Sequence, residues 1–392
     1  MILIKNGTLY PMIVPPIKKG AILIEDKKII KIFNETDTLP NKEDKNVTIL
    51  DAQGGWILPG LIESHCHLGV IEDKKGTIGQ VSNEVVNPIT PYLSALDGVN
   101  PMDASFRDAV RAGITSVMVG PGSTNVVGGQ FIFMKTYGRI IDDMVIMAPA
   151  AMKIAFGENP IMNYQGLNIS PVTRMSIASM LRDEITEAIQ YKEEKEYSKK
   201  KNEFYKVNYR YECWMPVLEK KIPLKAHVHR ADDIMTAVRI AKEFDLKLTL
   251  DHCTEGFLIA DRLREEGFPA IVGPNLNFRN KLELENMAFE TPGILSGAGV
   301  MIALTTDHPV SLIQLLPICA GLAVRAGLPF EDGLRAITIN AARICNVDDR
   351  VGSLQEGMDA DIAIFDGNPM EVFTKTLYTI IDGSIVYDYS KE

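Results

Sequence analysis

Short apolar runs separated by turn residues dominate both ends of the chain. They combine β-branched residues with bounding Gly, Asn or Asp, which is typical of β-strands. These runs are residues 1–10, 20–33, 47–54, 359–367 and 376–389. Within the last of them, Asp382-Gly383 stands between two apolar stretches and predicts a hairpin. We therefore predict one small β-sandwich domain built from both ends of the chain, residues 1–56 and 351–392.

Apolar runs alternate with amphipathic stretches in the middle of the chain. The predicted strands are residues 56–64, 113–120, 144–156, 222–229, 246–253, 268–275 and 299–307. The predicted helices are residues 101–113, 231–245, 256–267 and 313–327. Such alternation predicts a parallel sheet, and at this length a closed (β/α)8 barrel over residues 57–350 is the leading interpretation. A doubly wound open sheet is the competitor, but no Gly-rich dinucleotide-type turn follows the first strand.

A charge-dense segment, about residues 165–220, interrupts this alternation. Its central sequence KEEKEYSKKK predicts a solvated helix with Glu–Lys pairs one turn apart. Tyr205, Tyr209, Tyr211 and Trp214 follow it closely. These aromatic residues leave open a second interpretation, a lid or a contact between subunits.

A glycine-rich stretch, GPGSTNVVGGQ at residues 120–130, raises the question of phosphate binding. It lacks the Lys-Ser/Thr ending that a P-loop needs to reach phosphates and magnesium. We therefore predict a strand–helix loop that lines the mouth of the barrel.

Composition narrows the functional class. The chain is 46% hydrophobic and 23% charged, with a net charge of -10, which argues against a general nucleic-acid binder. No apolar run approaches the roughly 20 residues of a membrane span, and no signal peptide is evident. The 5 cysteines form no CxxC pair, which favours a reducing cytoplasm. We expect a small-molecule substrate, no nucleic-acid or membrane partner, and a homo-oligomer.

The histidines show the clearest pattern. All 6 close an apolar, strand-like run: His65, His67, His227, His229, His252 and His308. In a parallel barrel, the C-terminal ends of the strands form the active site. His65 and His67 share one face of their strand, while Cys66 between them faces away. Because imidazoles converging from several strands are good ligands for a divalent ion, the pattern predicts a metal site.

Several sequence motifs resemble those of the amidohydrolase superfamily. LPGLIESHCHLG at residues 58–69 is similar to its first motif, and GSLQEGMDADIAIFD at residues 352–366 is similar to the return from barrel to sandwich. Within that superfamily, AAMKIAFGENP, AHVHRADDI and LTTDHPV look most like the imidazolonepropionase-related branch. The likeness spans nearly the whole chain.

The resemblance implies a set of metal ligands, with zinc as the default ion. The implied ligands are His65, His67, His227, His252 and Asp307. His227, rather than His229, matches the ligand on the fifth barrel strand. Lys153 falls where two-metal relatives carry a carboxylated lysine that bridges the ions. Because an ammonium has no lone pair for a metal, the alternative is an unmodified cation beside a single ion.

The resemblance also implies a mechanism. Metal-activated water would attack a carbonyl, and Asp307 would act as general base and then general acid. His229 and His308 could hydrogen-bond the carbonyl oxygen or orient a ligand. Loop arginines could pair with a substrate carboxylate. The candidates are Arg230, Arg279 and Arg174.

These expectations describe a metal-dependent hydrolase of carbon–nitrogen bonds other than peptide bonds. Its substrate would be a cyclic amide, an N-acyl amino acid or a dipeptide. The first rival is a mononuclear deaminase that uses the same ligands without Lys153. The second is a non-catalytic binding protein on the same fold, although such proteins usually lose ligands and this chain retains a full set.

Overall fold

The computed structural model describes residues 1–40, 47–74 and 76–392. Residues 41–46 and 75, inside the predicted sandwich and barrel ranges, lie outside the described residues. The strands are β1 Ile2–Leu9, β2 Ile17–Glu25, β3 Lys28–Phe33, β4 Thr48–Asp51, β5 Trp56–Pro59, β6 Leu61–Cys66, β7 Ile114–Val119, β8 Val127–Lys135, β9 Val145–Ala155, β10 Leu224–Val228, β11 Leu248–His252, β12 Ala270–Val272, β13 Ile302–Leu304, β14 Ile362–Phe365, β15 Thr376–Ile381 and β16 Ser384–Asp388.

Helices occupy most of the connections between the later barrel strands. They are α1 Ala104–Arg111, α2 Ile141–Met144, α3 Glu158–Gly166, α4 Arg174–Lys201, α5 Tyr209–Glu212, α6 Met215–Leu218, α7 Ala231–Glu243, α8 Ala260–Glu266, α9 Thr291–Ala298, α10 Leu316–Arg325, α11 Phe330–Ala336 and α12 Ile339–Ile344. In the described part of the chain, no helix combines the length and apolar character that crossing a membrane requires.

Two 8-stranded sheets form the molecule. One runs β6 through β13 in sequence order, and the other joins both chain ends in the order β16-β15-β14-β5-β1-β2-β3, with β4 beside β1. The predicted fold class, a TIM-like barrel with a separate β unit from both termini, is therefore confirmed. The barrel strands β6, β10 and β11 are buried along their whole length, because helices cover their outer face.

One barrel strand differs from the prediction. β8 runs antiparallel to both β7 and β9, and its first residues lie in the segment predicted as a loop at 120–130. The loop interpretation is therefore wrong for residues 127–130. No helix separates β7 from β8, so the chain returns antiparallel. Gly129 interrupts the apolar pattern of this strand. A glycine is required there because a Cβ would lie 2.4 Å from the Leu93 carbonyl oxygen.

Side chains help to join the first and last barrel strands. Thr305 donates its hydroxyl to the His65 carbonyl oxygen at 2.6 Å. Glu63, fully buried, accepts the backbone N–H of Thr306 at 2.8 Å and its hydroxyl at 2.6 Å. Burial raises the pKa of Glu63 to about 7. Together these contacts fix the segment that carries Asp307 beside β6.

The charged segment forms a 28-residue helix, α4, as predicted. One side of it packs on the molecule through Ile177, Leu181 and Ile185, so only the other side is solvated. Buried Glu184 accepts hydrogen bonds from Trp214 Nε1 and Arg210 Nε, each at 3.0 Å. Trp214 of the aromatic cluster, together with Arg210, therefore anchors α4 through Glu184.

Glu184→Gln is expected to lower the free energy of unfolding by about 1–3 kcal/mol, because one charge-assisted acceptor is lost from a buried position. Urea unfolding at neutral pH measures this loss. Glu193→Gln, on the exposed side of the same helix, is the matched control and should leave the midpoint unchanged. Equal midpoints for Glu184→Gln and the unaltered protein would contradict the anchoring role.

Candidate metal centre

Four barrel strands bring several of the predicted site residues to one end of the barrel. His65 lies on β6 and His67 directly after it, His227 lies on β10 and His229 directly after it, His252 ends β11, and Asp307 follows β13. His252 and Asp307 adopt left-handed φ values of 71° and 50°. Such backbone strain in residues other than glycine is a feature of functional sites.

His65, His67 and Asp307 form the first cluster of ligand atoms. The Asp307 carboxylate oxygen Oδ1 lies 3.3 Å from Nε2 of each ring. The opposite nitrogen of each ring is already engaged: His65 Nδ1 lies 2.9 Å from Asp251 and His67 Nδ1 lies 2.8 Å from the Gly120 carbonyl oxygen.

These outer contacts fix which nitrogen carries the proton. A carbonyl or carboxylate oxygen can only accept, so Nδ1 of His65 and His67 is the donor and Nε2 presents a lone pair. The two lone pairs and the Asp307 oxygen then converge without a hydrogen between them. Three acceptor atoms so close repel one another unless a cation joins them, and the cluster therefore fits a divalent ion.

A second cluster contains His227, His229 and His252. Its ligand atoms, like those of the first, lie within 4.8 Å of one another. His252 Nδ1 donates to the Gly273 carbonyl oxygen at 2.7 Å, and His229 Nδ1 lies 2.7 Å from the Thr254 hydroxyl. His227 Nδ1 has no hydrogen-bond partner among the described residues. Sequence reasoning separated His229 from the ligands, whereas the fold places it with them.

Burial keeps four of the site histidines neutral. It lowers the pKa of His65, lowers the pKa of His227 and His252 well below their usual range, and lowers the pKa of His229 to about 4. Neutral rings retain the lone pair that a metal requires.

Lys153 lies on β9 between the two clusters and is fully buried. Its Nζ lies 3.5 Å from His65 Nε2 and 5.6 Å from the centre of the Phe131 ring. Burial lowers the pKa of the amine to about 8. The fold thus brings Lys153 to the place that the family resemblance implied for it.

His308 has the opposite arrangement from the predicted ligands. Its Nδ1 accepts the backbone N–H of Ile313 at 3.1 Å, so the proton of the neutral ring is on Nε2. Burial lowers its pKa to about 4. Nε2 is buried without a hydrogen-bond acceptor in the described part of the chain. His308 therefore offers a hydrogen-bond donor at Nε2 and not a lone pair for a metal.

The three predicted substrate arginines each have a local partner. Arg174 pairs with Asp233 at 3.0 Å, and Arg230 pairs with Asp232 at 3.0 Å. Arg279 donates to the Met287 carbonyl oxygen at 2.7 Å. Their role in substrate binding stays a prediction.

Sequence reasoning missed a buried pair beneath the site. Asp251 on β11 contacts His65 through one oxygen and Lys225 Nζ at 3.0 Å through the other. Lys225 lowers the pKa of Asp251 against the opposing effect of burial. The signal was present, since Lys225 and Asp251 are single charged residues inside otherwise apolar strands. Such residues need a partner, and here each supplies the other.

Glu283 was also missed. It lies on the loop after β12, is 1% exposed, and its Oε1 is 3.9 Å from Nε2 of both His227 and His229. No periodic pattern marks this loop. Only the three-dimensional fold reveals that the carboxylate reaches the second cluster.

Known proteins resemble this chain in sequence and in fold. The family model described as "Amidohydrolase family" matches residues 56–386. The solved structure of an amidohydrolase from Thermotoga maritima MSB8 superposes with a TM-score of 0.94 at 39% identity, covering 99% of this chain and 100% of that one.

Curated relatives are more distant. Amidohydrolase tasK of Hapsidospora irregularis is 25% identical over 94% of this chain, which spans only 40% of that protein's length. An imidazolonepropionase of Thermoplasma volcanium is 24% identical, with 96% of this chain and 92% of that protein covered. The family model and the Thermotoga structure each cover most of the chain. The chain belongs to the amidohydrolase family.

Proposed function

We propose that the chain is a metal-dependent hydrolase of an amide or another carbon–nitrogen bond. The observation that carries the proposal is the convergence of His65 Nε2, His67 Nε2 and Asp307 Oδ1, with outer contacts that keep the ring protons on the far side. A divalent ion, which we propose to be zinc, would supply an acidified water and would polarise the scissile carbonyl.

The chain's own residues then perform the proton transfers. Asp307, 9% exposed, would accept the proton of the attacking water and deliver it to the leaving nitrogen. His308 would donate a hydrogen bond from its Nε2–H to the carbonyl oxygen, which develops negative charge. Asp251 would hold the His65 ring in place from the opposite side.

We further propose that Lys153 is carboxylated and completes a two-ion centre. In support, its amine lies between the two clusters, 3.5 Å from His65 Nε2. The substrate would be a cyclic amide, an N-acyl amino acid or a dipeptide, bound through one of the loop arginines. If Lys153 remains an amine, the same ligands would hold a single ion, as in the deaminase alternative.

Metal removal tests the proposal. Protein treated with a chelator is expected to lose hydrolysis of a panel of cyclic amides, N-acyl amino acids and dipeptides, and to regain it when Zn²⁺ is added. Elemental analysis of the Lys153→Ala variant should show one ion fewer per chain. Full turnover by metal-free protein would contradict the proposed hydrolase. An unchanged metal content and full activity of Lys153→Ala would contradict the two-ion form.

A further inference from the structure

Glu283 is held rigidly at the second cluster of histidines. It lies on a single turn, Leu282–Leu284, after β12. Its Oε2 accepts the backbone N–H of Glu158 at 2.9 Å, and Glu158 in turn accepts the backbone N–H of Glu283 at 2.9 Å. This reciprocal pair fixes the direction of the carboxylate before any ligand arrives.

The other carboxylate oxygen has no hydrogen-bond donor. Oε1 is buried, without such a partner among the residues described, and faces Nε2 of His227 and His229 at 3.9 Å each. His229 Nε2 presents a lone pair if Nδ1 donates to Thr254 at 2.7 Å. A buried carboxylate oxygen without a hydrogen-bond donor is unfavourable unless a cation balances it.

Lys281 is the nearest cation on the same loop, yet it does not fill this role. Its Nζ lies 3.7 Å from Glu283 Oε1, which is beyond hydrogen-bond distance. The ammonium instead donates to Asn159 Oδ1 at 2.5 Å, and the side chain is 29% exposed. Glu283 therefore has room for a closer cation.

We propose that Glu283 is a carboxylate ligand of a divalent ion bound by His227, His229 and His252. Two ligand atoms that are each about 2.0–2.2 Å from zinc are at most about 4.3 Å apart. Both oxygen-to-nitrogen separations of 3.9 Å satisfy this limit. Three imidazoles and one carboxylate form a chemically suitable ligand set for such an ion.

This inference rests on the metal dependence proposed above but makes a separate claim. The second ion would have a complete set of side-chain ligands of its own. A carboxylated Lys153 would add to these ligands, and the metal content of Lys153→Ala tests that contribution separately. The loop after β12 would be a metal-binding loop.

Cobalt titration tests the assignment. Chelator-treated protein is titrated with Co²⁺ and followed by visible absorption and by calorimetry. Glu283→Gln is expected to lower the affinity for one Co²⁺ ion by at least about 10-fold, because loss of a residue that only supports a metal ligand already has an effect of this size. The visible absorption of that ion should also change. Glu285→Gln, an exposed neighbour on the same loop, should match the unaltered protein.

A second variant separates metal binding from a simple ion pair. Lys281→Met removes a like charge and should leave cobalt affinity unchanged or higher. Equal losses in Lys281→Met and Glu283→Gln would overturn the inference, as would unaltered cobalt binding by Glu283→Gln. If Glu283→Gln does not fold, Glu283→Asp, which withdraws the carboxylate by one methylene, should show the same loss. Failure of the unaltered protein to bind any Co²⁺ would instead defeat the proposed function itself.

Discussion

Asp307→Asn is expected to lower kcat for the best substrate of the amide panel by about 10²–10⁴-fold, the usual contribution of a general acid–base group. Asparagine keeps the size of the side chain but cannot take a proton from water. It also removes the negative charge that faces His65 and His67, so the variant should bind its first ion more weakly. Steady-state kinetics and elemental analysis measure the two effects together.

The control for this variant is Asp349→Asn, which makes the same substitution at an exposed aspartate. It should retain normal kinetics and metal content. Asp307→Asn that turned over substrate at the normal rate, with both ions present, would show that another group carries the proton. His308 would then be the next residue to replace.

Lys135→Met is expected to lower the free energy of unfolding by about 3–5 kcal/mol, because removal of one partner strands buried charges. Lys135 projects from β8 to the second sheet, where its Nζ lies 2.7 Å from Asp361 and 3.0 Å from Asp359. Lys28 and Arg350 still neutralise Asp359 at 2.8 and 2.7 Å. The loss therefore falls mainly on Asp361, which is 2% exposed in its side chain.

The loss should depend on pH with a definite sign. Burial raises the pKa of Asp361 above its ordinary 3.8 even with Lys135 present, and removal of the lysine would raise it further. A carboxyl with a raised pKa in the folded state favours folding as the pH falls. Lys135→Met should therefore be most destabilised near neutral pH and recover part of the deficit in mild acid.

Denaturant unfolding across this pH range measures the recovery. Lys18→Met, on the exposed part of β2, is the control and should show neither the deficit nor the pH dependence. A deficit for Lys135→Met that stayed constant from neutral to acidic pH would show that packing, and not an unpaired carboxylate, causes the loss.

The network also has an alkaline limit. Asp361 and Asp359 raise the pKa of Lys135 against the opposing effect of burial. Stability from this lysine is thus fully present below its ordinary pKa of 10.5 and is lost only as the pH rises through the higher folded value. Asp359 has its pKa lowered to about 2, so its contribution is lost only in strong acid.

Sequence patterns predicted the part of the site that strands carry. His65, His252 and Asp307 follow apolar runs, and parallel strands bring such ends together, so their proximity followed from local information. The placement of β8 did not, because Gly128 and Gly129 interrupt its apolar pattern. Glu283 could not be predicted either, since it is held in the site by reciprocal hydrogen bonds with Glu158, 125 residues away in the chain.

The hydrogen bonds that join the first and last barrel strands have a consequence for the order of events during synthesis. Thr305 and His65, which meet there, are 240 residues apart in the chain. A nascent chain emerges from its N-terminus, so His65 and His67 leave the ribosome long before Asp307. Uptake of the proposed first ion by His65, His67 and Asp307 together would therefore await synthesis of Asp307, and a product truncated before that residue would lack one of the three ligands.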